Sequence, residues 1–335
     1  MRRFLNQKRC IKKNENYNKM KILKIGLPAG SLKDATFELF KKAGFNITMN
    51  GRNYKPQIDD DEIDCTLIRA QEIPKYVENG VLDAGLTGED WINETSSDVK
   101  EIEELLYAKQ RLKKVKLVIA VANDSNIKSV KDLEGKRIAT EYVNITKRYL
   151  EKNNVKALVE FSWGATEVKV PELAEAIAEL TETGASLKAN NLKIIDTIME
   201  SSTKFIANKN SIKDPWKYDK INKIALLLKG ALLAEEKVGL KMNIDDHQLK
   251  DVLEILPALK HPTISPLGKD GWLALDSIVD EAVVRDIIPK LKELGAEGIV
   301  EYPVNIVGKE SRRSRFGRAI LRSKERTLFL IFREV

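Results

Sequence analysis

A rhythm narrows the fold more than any other feature. From Lys21 onward, short apolar runs alternate with helical segments, and turn residues separate them. "ILKIGL" (22–27) leads into "SLKDATFELFKKAG" (31–44), where Ser31 is placed to cap a helix, Asp34 follows three residues on, and Gly44 ends it. "DCTLIRA" (64–70) reads as a strand, "AQEIPKYVENG" (70–80) as a helix closed by Gly80, and "LDAGLTGEDW" (82–91) as a strand running into a glycine turn. Strands alternating with helices predict an α/β fold with a parallel sheet. The rhythm then restarts. "VKLVIAVA" (115–122) is a buried strand, "SVKDLEGKRIATE" (129–141) a short helix, turn and strand, "VNITKRYLEKNNV" (143–155) an amphipathic helix, and "KALVEFSW" (156–163) a strand. "LKIIDTIMESSTKFIANK" (192–209) carries the chain back toward the first unit. Two α/β lobes with crossing connections leave a cleft between them.

The topology changes after residue 218. "DKINKIALLLKGALLAEEK" (219–237) is a long helix. It is followed by strand "VGLKMNI", helix "DDHQLKDVLEIL", strands "TISPL" and "GWLALDSIV", helix "DEAVVRDIIPKLKELG" and strand "AEGIVEYPVNIV". The order βαββαβ is a ferredoxin-like signature. The expected division is an extension at 1–19, a first lobe at 20–113 and 199–218, a second at 114–198, a ferredoxin-like domain at 219–307 and a basic tail at 308–335.

Charge and composition exclude several functions. The net charge of +7 invites a nucleic-acid reading, but residues 1–19 and 308–335 each contribute +6, which leaves −5 for the body. A body of that sign does not bind polyphosphate as a surface. No apolar run is long enough to span a bilayer, and the charged N-terminus lacks the apolar stretch of a secretory signal. Cys10 and Cys65 are the only cysteines and His247 and His261 the only histidines, so neither a disulfide framework nor a zinc site is expected, and the cytosol is the default compartment. Cys65 reads as strand packing and the two histidines as surface residues.

The chemistry gathers in "AEAIAELTETGASLKANN" (174–191). As a solvent-facing helix it would end at Gly184. As a strand over 175–181 it would make Thr183-Gly184-Ala185-Ser186 a strand-to-helix loop whose N–H groups and hydroxyls receive an anion. Glu179 and Glu182 would then face ribose hydroxyls or hold Mg²⁺ on a pyrophosphate. The stretch alone leaves both readings open. Elsewhere, Arg69 closes a strand and suits phosphate, with a surface ion pair to Asp64 or Glu72 as the alternative. Asp90 and the pair Thr140-Glu141 stand at strand ends, where α/β ligands gather, although Asp90 also suits a helix N-cap. Trp163 beside Gly164 is expected in the core, with stacking on adenine as the lesser reading.

Several motifs in order carry a resemblance: "LPAGSL" (27–32), "DDDEIDCTLIRAQEIPKYVENGVLDAGLTGEDW" (59–91), "GKRIATEY" (135–142) and "ELTETGASLKANNL" (179–192). Over residues 20–307 the chain resembles the ATP phosphoribosyltransferase family in its long form. The resemblance implies two lobes similar to type II periplasmic binding proteins, followed by an ACT-like regulatory domain. It implies that N1 of ATP is joined to C1 of phosphoribosyl pyrophosphate with Mg²⁺, the first step of histidine biosynthesis. It further implies a homohexamer, with a dimer as the smaller option, and histidine as feedback inhibitor. The family's phosphate loop matches Thr183, Gly184, Ala185, Ser186 and Leu187, preceded by the acidic Glu179 and Glu182. Gly30, Ser31, Arg69, Asp90, Thr140 and Glu141 would line the ATP side, and Asn243, Thr263 and Ser265 would lie near the histidine effector. One departure stands out: the family often has lysine where this chain has Ala29, and Lys33, one helical turn on, is the candidate replacement. A solute-binding protein and a catalytically inert amino-acid sensor share the architecture. The T-G loop argues against the first, and Ala29 is the one feature favouring the second.

Overall fold

The computed structural model describes residues 21–49, 51, 54–107, 114–257, 261–268 and 271–308. The extension at 1–19 with Cys10, and the tail after Gly308, lie outside them. The first run of elements is β1 (Leu23–Ala29), α1 (Lys33–Lys42), β2 (Ile47–Thr48), β3 (Gln57–Ile58), β4 (Ile63–Arg69), α2 (Ile73–Glu78), β5 (Ala84–Gly88), α3 (Glu89–Thr95) and β6 (Lys100–Leu105). The second is β7 (Val115–Ala122), β8 (Arg137–Thr140), α4 (Val143–Lys152), β9 (Leu158–Phe161), β10 (Ala176–Thr181), α5 (Ala185–Ala189) and β11 (Leu192–Ser201). Then β12 (Thr203–Ala207) returns to the first sheet.

The two five-stranded sheets are ordered β4-β1-β5-β12-β6 and β11-β7-β10-β8-β9. In each, one strand arriving from the other lobe, β12 or β7, runs antiparallel between parallel neighbours. Each lobe therefore places its own strands as second, first, third, visitor, fourth. This is the two-lobed arrangement of type II periplasmic binding proteins. The visitor also explains why the sheets are mixed rather than wholly parallel.

Local chemistry sets the packing. β1 and β5 are buried along nearly their whole length, as strands covered on both faces must be. At Gly85 a Cβ would stand 2.5 Å from a methyl of Ile73, so only glycine lets α2 lie this close to β5. Gly44 and Gly80, both at positive φ, end their helices as expected. Helix α1 begins at Lys33 after a turn closed by Lys33 N–H on the Gly30 carbonyl (3.1 Å), so Ser31 precedes the helix in that turn rather than capping it.

The long helix α6 (Pro215–Ala234) starts earlier than the sequence suggested. Asp214 accepts from the N–H groups of Trp216 (2.9 Å) and Lys217 (3.3 Å), and Pro215 at the first turn needs no partner for a missing N–H. The chain separates into two compact units, the first ending at Asn222 and the second beginning at Lys223, with Glu38–Gly44 grouped with the second. In the second unit, β13 (Lys237–Asp245), α7 (Leu249–Ile255), β14 (Thr263–Pro266), β15 (Trp272–Asp280), α8 (Glu281–Glu293) and β16 (Glu297–Pro303) form a sheet ordered β14-β15-β13-β16. That is the ferredoxin-like order. Leu240, Met242, Ile244 and Leu275 pack with Val252, Ile287 and Leu291 of α7 and α8, which places the core on one face of the sheet.

Candidate functional site

A cavity of about 400 Å³ opens at the C-terminal ends of β1, β4 and β10 in the first unit. Its lining comes from both lobes and from both crossings, with Tyr107 and Val115 at one crossing and Ser201–Thr203 at the other. Of the expected residues, Gly30, Ser31, Arg69, Asp90, Glu141, Glu179 and Glu182 are on its wall. Thr140, Thr183, Gly184, Ala185, Ser186 and Leu187 are not.

On the first lobe, Arg69 and Ala29 are register partners at the ends of β4 and β1. A Cβ on Gly30 (φ +89) would lie 3.6 Å from Arg69 Nη1, so the guanidinium rests beside bare backbone. Asp64, one of the two partners in the alternative surface-ion-pair reading, pairs with Lys55 at 3.1 Å. Arg69 is exposed and is the only cationic side chain lining the cavity among the described residues. Lys33 pairs with Asp34 at 3.4 Å and is not on the wall.

Asp90 is 2% exposed and is the second residue of α3, whose N-cap is Gly88. Its Oδ1 accepts from Ser201 Oγ at 2.5 Å, and its own N–H donates back to that hydroxyl at 3.1 Å. Oδ2 has no hydrogen-bond partner. Burial raises the Asp90 carboxyl above its ordinary value. Burial first, and then the charge of Asp90, push the Tyr142 phenol well above its own.

On the second lobe, residues 176–181 form a strand rather than a solvent-facing helix. Thr140 is buried; it donates to the Ala178 carbonyl at 2.6 Å and accepts from Tyr142 N–H at 2.9 Å, so it braces the corner that carries Glu141. Glu179 accepts from Leu180 N–H at 3.0 Å. Burial, with the nearby carboxylates Glu167 and Glu141, lifts its carboxyl to about 7. Glu182 Oε1 is buried without a partner. In the loop, Gly184 sits at φ +76. Its N–H donates to Thr181 Oγ1 (2.9 Å), and Ala185 N–H donates to Thr183 Oγ1 (3.3 Å). Ser186 Oγ donates to the Glu167 carboxylate. Leu187 is buried in the lobe core, so only its backbone is available to a ligand.

Sequence reasoning passed over Tyr107, Trp91, Tyr142 and the Ser201–Thr203 crossing, all on the wall. The run "SST" between two strands was the signal for the crossing. Trp163 corrects an expectation: it is 91% exposed and meets Phe161 edge-on at 4.8 Å, away from both core and cavity. Cys65 is buried in β4, and burial pushes its thiol up to about 12. His247 and His261 are exposed.

In the second unit, Asn243 and Ser265 are both register partners of Ala274, and Thr263 pairs with Asp276. All three expected effector residues thus share one sheet face, opposite to that of Met242 and Ile244, which is packed on helices.

Residues 69–230 match the family model described as ATP phosphoribosyltransferase, and residues 234–306 match the one described as HisG, C-terminal domain. An ATP phosphoribosyltransferase of Thermodesulfovibrio yellowstonii is 60% identical over 289 residues, 86% of this chain and 99% of that protein. One from Chlorobaculum parvum is 58% identical over 288 residues, 86% and 98% of the two chains. Among solved structures, the ATP phosphoribosyl transferase (HisG:HisZ) complex from Thermotoga maritima contains a chain similar to this one at 25% identity. The TM-score is 0.54, with 62% of this chain and 99% of that chain covered.

Proposed function

This chain belongs to the ATP phosphoribosyltransferase family, and we propose that its inter-lobe cavity is where ATP N1 meets C1 of phosphoribosyl pyrophosphate in this first step of histidine biosynthesis. The observation that carries the reading is a wall with one cation, Arg69, on the first lobe and three glutamates, Glu141, Glu179 and Glu182, on the second.

The roles follow from chemistry. Glu141 and Glu179 accept from ribose hydroxyls. The loop Thr183–Ser186 takes the 5-phosphate, which displaces the threonine hydroxyls now holding the N–H groups of Gly184 and Ala185. Arg69, beside Gly30 and Ser31, takes a phosphate of ATP or the departing pyrophosphate through a bidentate fork. Asp90 borders the ATP side. Adenine N1 needs no covalent helper when it is aligned with C1 and the developing charges are met by fixed groups.

The donor set suits a hard cation. It is all oxygen, and Glu182 Oε1 is buried and unpartnered. Mg²⁺ is the proposed metal, with Glu179 as a candidate ligand, and when bound it neutralises charge on the pyrophosphate. We also read the second unit as the histidine effector domain, acting through the open sheet face of Asn243, Thr263 and Ser265 in a homohexameric, cytoplasmic enzyme. Lobe boundaries at 20–113 with 199–218, and at 114–198, accompany that reading.

The experiment follows phosphoribosyl-ATP formation from ATP, phosphoribosyl pyrophosphate and Mg²⁺, with and without histidine. Product suppressed by histidine supports both assignments. Product indifferent to histidine removes the effector role. Absence of product from a folded protein would point to Ala29 as a disabling departure.

A further inference from the structure

The two lobes are joined at a second place besides their crossings. Helix α3 of the first lobe meets the start of α4 of the second. Glu94, buried in α3, accepts from the N–H groups of Asn144 and Ile145, both at 2.9 Å. These are the second and third residues of α4. The helix's own N-cap residue, Tyr142, gives the helix no side-chain cap. A carboxylate of one lobe therefore caps a helix of the other, and its charge complements the helix dipole. Asn144 Nδ2 donates to the Glu94 carbonyl at 3.1 Å, and Arg148 Nη2 to the Asn93 carbonyl at 2.6 Å. Trp91 stacks on Tyr142 with ring centroids 4.5 Å apart.

What this brace holds is part of the cavity. Glu141 and Tyr142 immediately precede α4 and line its wall. Their backbone position depends on where α4 begins, and Glu94 fixes that beginning from across the lobe boundary. We propose that Glu94 is a positioning residue for the reaction, holding the Glu141–Tyr142 corner in register with the first lobe's Arg69 and Asp90. The inference rests on the cavity being the substrate site. Without the cap, the buried Ile145 N–H and the partly buried Asn144 N–H lose their partner and the lobes lose a fixed point. A misplacement of an ångström at a reacting centre costs about a hundredfold in rate.

A kinetic double-mutant cycle tests this. Glu94→Gln keeps the shape and one acceptor. It is measured in the wild-type and Glu141→Gln backgrounds, at a temperature where circular dichroism shows every protein folded. Glu94→Gln is expected to lower kcat/KM about tenfold alone and no more than about twofold once Glu141 is gone, because the group it places is already absent. Equal factors in both backgrounds, or a lowered Tm with unchanged kinetics, would make Glu94 merely structural and overturn the inference. Glu94→Asp, which retains the charge but falls short, is expected to recover less than Glu94→Gln; full recovery would mean position is immaterial. If Glu141→Gln is silent while Arg69→Ala abolishes turnover, the cavity stands and this inference falls. If both are silent, the cavity is the wrong site.

Discussion

Counted from its own first strand, each lobe orders its sheet in the same way, yet the ligand-facing ends of the two sheets differ in kind. In the first lobe and the crossings, the buried groups Thr87, Asp90 and Ser201 are tied into hydrogen bonds, with Asp90 Oδ2 alone of the three side chains' oxygens left without a partner. Thr87 Oγ1 donates to the Ala70 carbonyl at 2.7 Å, and Ser201 exchanges two hydrogen bonds with Asp90. In the second lobe, Thr183, Ala185 and Ser186 are exposed, and the N–H groups of Gly184 and Ala185 are held by the hydroxyls of Thr181 and Thr183. One side is set before a ligand arrives. The other must exchange internal hydrogen bonds for external ones. Similar topology thus yields a rigid wall and an adaptable one, and the rigid wall has the cation.

The sharpest way to break this comparison is to remove that cation. Arg69→Ala is expected to lower kcat/KM by about 10²–10³-fold, the scale for deleting one preorganised charge donor, with little change in Tm because the side chain is exposed. Arg69→Lys should recover only part, since a point charge cannot replace a planar fork. Steady-state kinetics with both substrates decides it; unchanged kcat/KM would remove Arg69 from the site. Next in size is Gly184→Val. Nothing lies within 4 Å of a Cβ at Gly184, so the cost is in the backbone alone, at φ +76. Forcing a β-branched residue into that region costs roughly 1–3 kcal/mol, and KM for phosphoribosyl pyrophosphate should rise about tenfold or more. Gly184→Asn should be milder because asparagine tolerates the left-handed region. Equal effects of valine and asparagine would contradict an adaptable, glycine-dependent loop.

The third prediction sharpens the contrast through pH. Glu179 titrates at about 7 in the folded chain against an ordinary 4.5, chiefly because it is buried. A raised value means that the native state binds the proton more tightly than the unfolded one. That stabilisation is complete below about 4.5 and disappears as pH rises through 7. The unliganded protein should lose up to roughly 3 kcal/mol from this group across that window, and Glu179→Gln should flatten the slope. Thermal unfolding of both proteins at pH 5, 6, 7 and 8 measures it. Parallel curves would mean that the Glu179 carboxyl is not desolvated, and the second lobe's wall would then be wetter than the structure shows.

Much of this architecture is legible in the sequence, because periodicity and turn chemistry are local. Gly44 and Gly80 mark helix ends, and the βαββαβ order of residues 237–303 emerges intact. The mixed character of both sheets is not legible, since β7 and β12 owe their direction to a crossing that no local pattern records. For the same reason the site divides. Arg69 and Asp90 stand at strand ends, where a rule finds them. Tyr142, Ser201 and Glu94 matter through partners 50 to 111 positions away in sequence. Trp163 misled because a large aromatic residue after a strand is usually buried; here β9 is the sheet's edge, and of the residues that follow it Ser162 turns inward while Trp163 faces outward.

That edge supplies the smallest expected effect and a limit on how far the adaptable wall extends. Trp163 is 91% exposed and touches Phe161 only edge-on. Loss of an exposed ring is worth about 0.5 kcal/mol or less, so Trp163→Ala should barely move Tm, and KM for either substrate should stay within about twofold. The residue is nevertheless linked by chain to the site. Gly164 follows it at φ +121, and Glu167, which accepts from Ser186, comes three residues later. If the phosphate loop rearranges alone, the tryptophan remains a bystander and its removal is silent. If substrate draws Glu167 and its neighbours along, the ring is carried toward the cavity, where it can cover an adenine. A tenfold rise in KM for ATP alone, with Tm unchanged, would show that the adaptable wall begins at Trp163 rather than at Glu182.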